Sequence, residues 1–128
     1  MLYCQFIRSI LDFNSCVWYS SITEEECEDL DRVQKNACKL ILKEEYKEYK
    51  SALNVLGLDC LRVRREKLAL KFAKKCLELP TMQDFFQRNK NDDYLFRNQE
   101  KYSVNFAYTK RYFKSSIPSL QRILNKNV

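Results

Sequence analysis

Apolar residues recur along this chain at helical intervals, most densely over 59–80. On a helical wheel Leu61, Leu68, Phe72, Cys76 and Leu79 fall on one face, with Ala69 at its margin, and Val63, Leu70 and Leu77 form a second ridge roughly opposite. Arg64, Lys67, Lys71, Lys74 and Lys75 make a basic stripe between the ridges. A helix with two dry ridges and one wet stripe needs at least two other elements to cover it, so this stretch is the predicted centre of the fold. Asp59 is the predicted N-cap, and Pro80 cannot continue the helix. Arg65 falls on the dry side. Snorkelling, or a structural ion pair with a carboxylate of a neighbouring helix, would resolve that inconsistency.

The same periodicity predicts the other elements. Residues 2–13 place Leu2, Phe6, Ile10 and Phe13 on one broad face, an amphipathic helix, and the loop after it carries Trp18, expected as a core plug. Thr23 with Glu26 three residues on is a capping box, opening a helix to about Lys43 with Leu30, Val33, Ala37, Leu40 and Ile41 inward. Its acids cluster at the N-terminal end and its cations follow, which suits the helix dipole better than it suits a metal. A shorter helix over 45–56 turns Tyr49, Ala52, Leu53 and Leu56 inward, and Gly57 supplies a left-handed stop. Met82, Phe85 and Phe86 ride on a short turn after Pro80. Residues 87–101 read as a mobile loop, and 102–113, rich in Tyr and Phe, as a short strand or an extended segment. Ser116, with Pro118 in the first turn, opens a last helix with Ile117, Leu120, Ile123 and Leu124 apolar.

With one Gly and two Pro in 128 residues, the chain lacks the turn signals an all-β fold requires. The predicted class is therefore all-α: one small helical domain over 1–128, of about five helices, with at most a minor strand near the C-terminus. The net charge of +6 is uneven. Residues 1–59 carry 7 basic and 11 acidic groups and residues 60–128 carry 16 and 6, a balance of −4 against +10. That asymmetry fits a polyanionic partner on the C-terminal half, and equally an acidic half docking on a basic one.

Six cysteines without C-x2-C spacing, in a chain with no His, argue against zinc. Most fall on apolar helix faces, where a free thiol behaves as a small hydrophobe, and no signal peptide precedes them; a reduced intracellular protein, cytoplasmic or nuclear, is expected. No apolar run approaches the roughly 18 residues of a membrane span. A single glycine excludes phosphate-binding loops, and the absence of His excludes histidine acid–base catalysis and Cys–His dyads. The paired Asp92 and Asp93 lack the apolar flanks of a polymerase metal site. No catalytic residue, cofactor or small-molecule substrate is indicated. What remains is the interleaving of aromatics with cations over 102–114, including Lys110 and Arg111: cations neutralise phosphates while rings stack on bases. A segment laid on a helical core with its cations in water gives the same letters.

These residues together resemble one family. Tyr3, Phe6-Ile7-Arg8-Ser9-Ile10-Leu11 and Val17-Trp18 are similar to the Y-x-x-x-I-R-S-x-L…V-W segment downstream of the polymerase domain in jockey-like non-LTR retrotransposon reverse transcriptases. Leu30-Asp31-Arg32-Val33-Gln34-Lys35 with Ala37 to Ile41 resembles their L-E-R-V-Q-K-x-A-x-x-x-I helix. Tyr49, Ala52-Leu53, Leu56-Gly57-Leu58, Leu61 and Arg64-Arg65 follow the Y-x-x-A-L-x-x-L-x-L-x-x-L-x-x-R-R run. Arg111-Tyr112, Ser116-Ile117-Pro118 and Gln121-Arg122-x-Leu124-Asn125 resemble the closing R-Y-x-x-S-x-I-P-x-x-Q-R-L-L-N. The family's polymerase metal motif, Y-x-D-D, is not in this chain. The resemblance thus implies a freestanding C-terminal piece without polymerase activity, from a truncated element copy or a retained gene. It also implies that this piece helps hold template and primer RNA or DNA, with the central basic stripe, Arg64, Lys67, Lys71, Lys74 and Lys75, as the contacts; Lys110 and Arg111 of the interleaved segment are the further candidates. The alternatives are a self-associating or protein-binding module, whose mark would be a large apolar patch on the first helix, and a product without function.

Overall fold

A computed structural model describes residues 1–89 and 100–127. Among them lie seven α-helices: α1 (Arg8–Asp12), α2 (Ser15–Trp18), α3 (Glu24–Leu42), α4 (Tyr49–Leu56), α5 (Leu61–Glu78), α6 (Lys110–Phe113) and α7 (Ser116–Lys126). A π-helical turn, Tyr3–Ile7, precedes α1, and 3-10 turns occupy Lys43–Glu45 and Pro80–Phe85. The fold is all-α. The centre of the expected mobile loop, 90–99 with Asp92 and Asp93, lies outside the described residues. Its flanks meet in one antiparallel bridge between Arg88 and Tyr102. No strand forms over 102–113. Residues 103–109 are irregular, and Thr109 caps α6 by accepting from the Tyr112 amide at 3.2 Å.

The chain, expected as one domain, gathers into two compact units, Met1–Ser15 with Ile22–Lys67 and Cys16–Ser21 with Leu68–Val128, and α5 contributes residues to each. In the first unit Tyr3, Cys38, Ala52, Leu53 and Leu58 form the core. Local chemistry sets its ends. Thr23 accepts from the Glu26 amide at 3.3 Å while the Glu26 carboxylate accepts from the Thr23 amide at 2.7 Å, the reciprocal box that starts α3. Those bonds hold the Glu26 carboxyl below its ordinary value. Gly57, at φ 63°, ends α4 in the left-handed region, and the Leu58 amide reaches back to the Leu53 carbonyl at 2.8 Å.

The stretch through the π turn and α1 faces the opposite way from its hydrophobic pattern, and α3 is turned only part of the way, with Leu30 and Ala37 of its expected inner set half-buried. The Arg8 amide donates to the Tyr3 carbonyl five residues back, so the π turn brings Tyr3 and Arg8 to one side, where a regular helix would align Tyr3 with Ile7. The Ser9 hydroxyl donates to the Gln5 carbonyl at 2.6 Å, giving an acceptor in that turn a partner. Tyr3, Arg8 and Ser15 are buried, whereas Leu2, Phe6, Ile10 and Phe13 face water. In α3 the buried residues are Cys27, Gln34 and Cys38, and Val33, Leu40 and Ile41 are exposed. A polar relay holds this arrangement: the Tyr3 hydroxyl donates to Gln34 Oε1 at 3.1 Å, and Gln34 Nε2 donates to the Asp59 carbonyl at 3.0 Å.

The second unit packs Ala69, Ala73 and Cys76 of α5 with Phe86, Tyr102 and, from α7, Leu120 and Leu124. Two amides of α7 act as ladder partners for chain that forms no sheet. Asn125 accepts from the Tyr102 amide and donates to the Tyr102 carbonyl, both at 2.9 Å. Gln121 accepts from the Asn105 amide at 3.0 Å and donates to the Phe85 carbonyl at 2.6 Å. Pro118 falls third in α7 after the Ser115 cap, within the first turn, where its missing N–H is among the four a helix start leaves unpaired. Trp18 is half-buried.

Candidate nucleic-acid interface

The inward stripe of α5 is Leu61, Arg65, Ala69, Ala73 and Cys76. Both predicted ridges shift accordingly: Val63, Phe72 and Leu79 are exposed, and Leu68, Leu70 and Leu77 are half-buried. The two alanines mark the inner side because they let neighbouring side chains pack close to the helix, a signal that ranking residues by hydrophobicity misses.

Arg65 is buried at 1% exposure. Its positive charge favours the ionised form of Asp31 and so opposes the upward push that burial exerts on that carboxyl; burial prevails, and the Asp31 value is raised. Asp59, the expected cap, lies two residues before α5 and accepts from Lys67 Nζ at 2.8 Å, which draws its own carboxyl down.

The expected basic stripe divides between the two units. Arg64 and Lys67 belong to the first, and each is engaged by a carboxylate there: Arg64 Nε donates to Asp12, and Lys67 to Asp59. Arg62, beside them, pairs with Glu24. Lys71, Lys74 and Lys75 belong to the second unit, are exposed, and have no ion-pair partner among the described residues. They lie on about one turn of helix, roughly 6 Å of axis. Lys110 and Arg111, at the start of α6, are exposed in the same unit.

Charge divides with the units. The first holds eleven basic and twelve acidic residues, a net of −1; the second holds twelve and five, a net of +7. The excess positive charge of the chain therefore belongs to the second unit. That unit also exposes Phe106 and Tyr108, 76% and 92% accessible, their rings edge to face with centroids 4.9 Å apart. Two large aromatic rings held in water beside a cation-rich segment can stack on bases. By contrast, Arg122 lies over the Phe113 ring at 3.8 Å and donates to the Phe113 carbonyl at 2.6 Å, and burial lowers its pKa; it holds α6 to α7 rather than facing a ligand.

Sequence reasoning did not single out Gln121 or Asn125 as structural amides, although both fall in the closing motif of the resemblance. Among the described residues no group of three His, Cys, Asp or Glu is placed to hold a metal ion, and no helix is long and apolar enough to cross a membrane. No family model matches the chain, and neither a curated protein nor a solved structure matches it.

Proposed function

We propose that this chain is a non-catalytic RNA- or DNA-binding module, a remnant of the region that follows the polymerase domain in jockey-like reverse transcriptases, which grips the phosphate backbone through its second unit. The observation that carries the reading is the segregation of charge: a net +7 on one unit, with Lys71, Lys74 and Lys75 exposed on one turn of α5. Lys110 and Arg111 add cations, and Phe106 and Tyr108 favour a single strand, whose bases are free to stack. The four ordered sequence pieces support the origin. Arg64 and Lys67 leave the proposed contact set, because carboxylates of their own unit already neutralise them.

The test is fluorescence anisotropy with short single-stranded and duplex oligonucleotides, titrated from about 50 to about 200 mM salt. Each phosphate contact contributes about 0.7 to 0.9 to the slope of log affinity on log salt, so Lys71→Ala, Lys74→Ala and Lys75→Ala together flatten it by about 2. Lys67→Ala leaves it unchanged. Absence of binding at the lowest salt, or an unaltered slope in the triple variant, refutes the reading.

A further inference from the structure

The first unit turns two apolar faces to water, and its own bonds prevent it from hiding them. Leu2, Phe6, Ile10 and Phe13 on the first helical stretch and Leu40 on α3 are between 65 and 77% exposed. Rolling the stretch to bury them would break the Tyr3–Gln34 hydrogen bond and the Asp12–Arg64 ion pair.

The two faces meet in an open groove of about 590 Å³, walled by Met1, Leu2, Phe6, Ile7, Leu40 and Ile41. Beside it Phe6, Ile10 and Phe13 follow one another at helical spacing as a ridge. Groove and ridge thus belong to the same patch, which is the property a two-fold interface requires: each copy offers both the knob and the hole. Identical surfaces also bring like charges face to face, and no Asp, Glu, Lys or Arg lines this groove. Area agrees. Eight large apolar side chains, Ile10 and Phe13 added to the six of the wall, are 41 to 77% exposed. At on the order of 200 Å² per side chain they present roughly 1,000 Å². A monomer's largest apolar patch is typically about 300–600 Å², and each partner of a stable pair contributes about 800 Å².

We infer that this face pairs with the same face of a second copy of the chain, the ridge of each entering the groove of the other. The inference does not depend on nucleic-acid binding, which is placed on the other unit. Sedimentation equilibrium of the full chain tests it, with an expected mass twice the 15.4 kDa of one chain. Ile10→Glu and, on the other wall, Leu40→Glu each weaken the pair on the order of 30-fold or more, while helical circular dichroism is kept because both side chains are wet in the single copy. Val55→Glu, on an exposed apolar residue of α4 outside the groove, leaves the dimer intact. A monomer at every concentration, association that grows without limit, or a dimer that survives both glutamates overturns the inference. The Lys71, Lys74 and Lys75 variants are dimers if it holds, so loss of oligonucleotide binding and loss of pairing are read separately.

Discussion

Replacing Gln121 with methionine isolates what the amides of α7 contribute. Gln121 is 1% exposed, and methionine matches its length and fills its space while making neither of its bonds. The Asn105 amide loses an acceptor and the Phe85 carbonyl a donor. An orphaned buried group costs about 1–3 kcal/mol, but Asn105 and Phe85 are both exposed residues to which water has access, so the low end applies to each and Gln121→Met costs about 2 kcal/mol. Asn125→Leu removes both partners of Tyr102, which is buried, so each loss falls higher in the range and the total is about 3 to 4 kcal/mol. Urea unfolding reads both. With a slope of about 2 kcal/mol per M, the midpoint drops by about 1 M for Gln121→Met and by nearly 2 M for Asn125→Leu, at unchanged slope. Amide exchange at Tyr102 accelerates in Asn125→Leu and not in Gln121→Met. A reversed ranking, or losses below about 0.5 kcal/mol in both, refutes the idea that these side chains stand in for a strand partner.

Gly57→Ala costs about 1–2 kcal/mol by thermal unfolding, and the cost is conformational, because a methyl group there meets no atom within 4 Å while the backbone remains at φ 63°. Alkaline titration exposes the buried phenols. Burial raises Tyr3 from 10.0 to about 12 and pushes Tyr49 up as well, so the unfolded chain loses these protons first and stability falls as pH rises from 10 through about 12. Tyr3→Phe, followed by circular dichroism, shifts the alkaline transition upward; an unchanged transition contradicts the assignment.

The elements whose signals are local were legible in the sequence, and those whose signals depend on a partner were not. Thr23 and Glu26 specify their box within four residues, Gly57 specifies its stop alone, and Leu120 and Leu124 mark the inner face of α7 because the opposite face is polar. Of the short strand or extended segment expected over 102–113, no strand forms: Lys110–Phe113 is helical, and the Tyr102 and Asn105 amides bond to the side chains of Asn125 and Gln121, which periodicity does not register. The basic stripe of α5 was visible as a pattern. Its division, with Arg64 and Lys67 neutralised and Lys71, Lys74 and Lys75 left wet, depends on Asp12 and Asp59, and Asp12 is remote in sequence.

The first helical stretch shows most clearly why a hydrophobic face names a surface that leaves water without naming what covers it. Leu2, Phe6, Ile10 and Phe13 mark one face of an amphipathic helix, and folding usually hides such a row inside one chain. Here the inner side is occupied by Tyr3 and Arg8, aligned by the π turn, and by the relay through Gln34, so the apolar row is displaced outward together with Leu40 and Ile41 of α3. A buried polar relay is retained at a cost in desolvation, and its return is that it fixes one rotational setting of the helix. If that is its role, Gln34→Leu, which severs the relay at both ends and leaves the Asp12–Arg64 pair as the remaining bond, loosens the stretch so that Phe6 and Ile10 lose exposure, and the proposed pairing with a second copy weakens without loss of helix. A Gln34→Leu protein that keeps the same mass and the same exposed face shows that the packing of Cys38, Leu53 and Leu58, rather than the relay, sets the orientation.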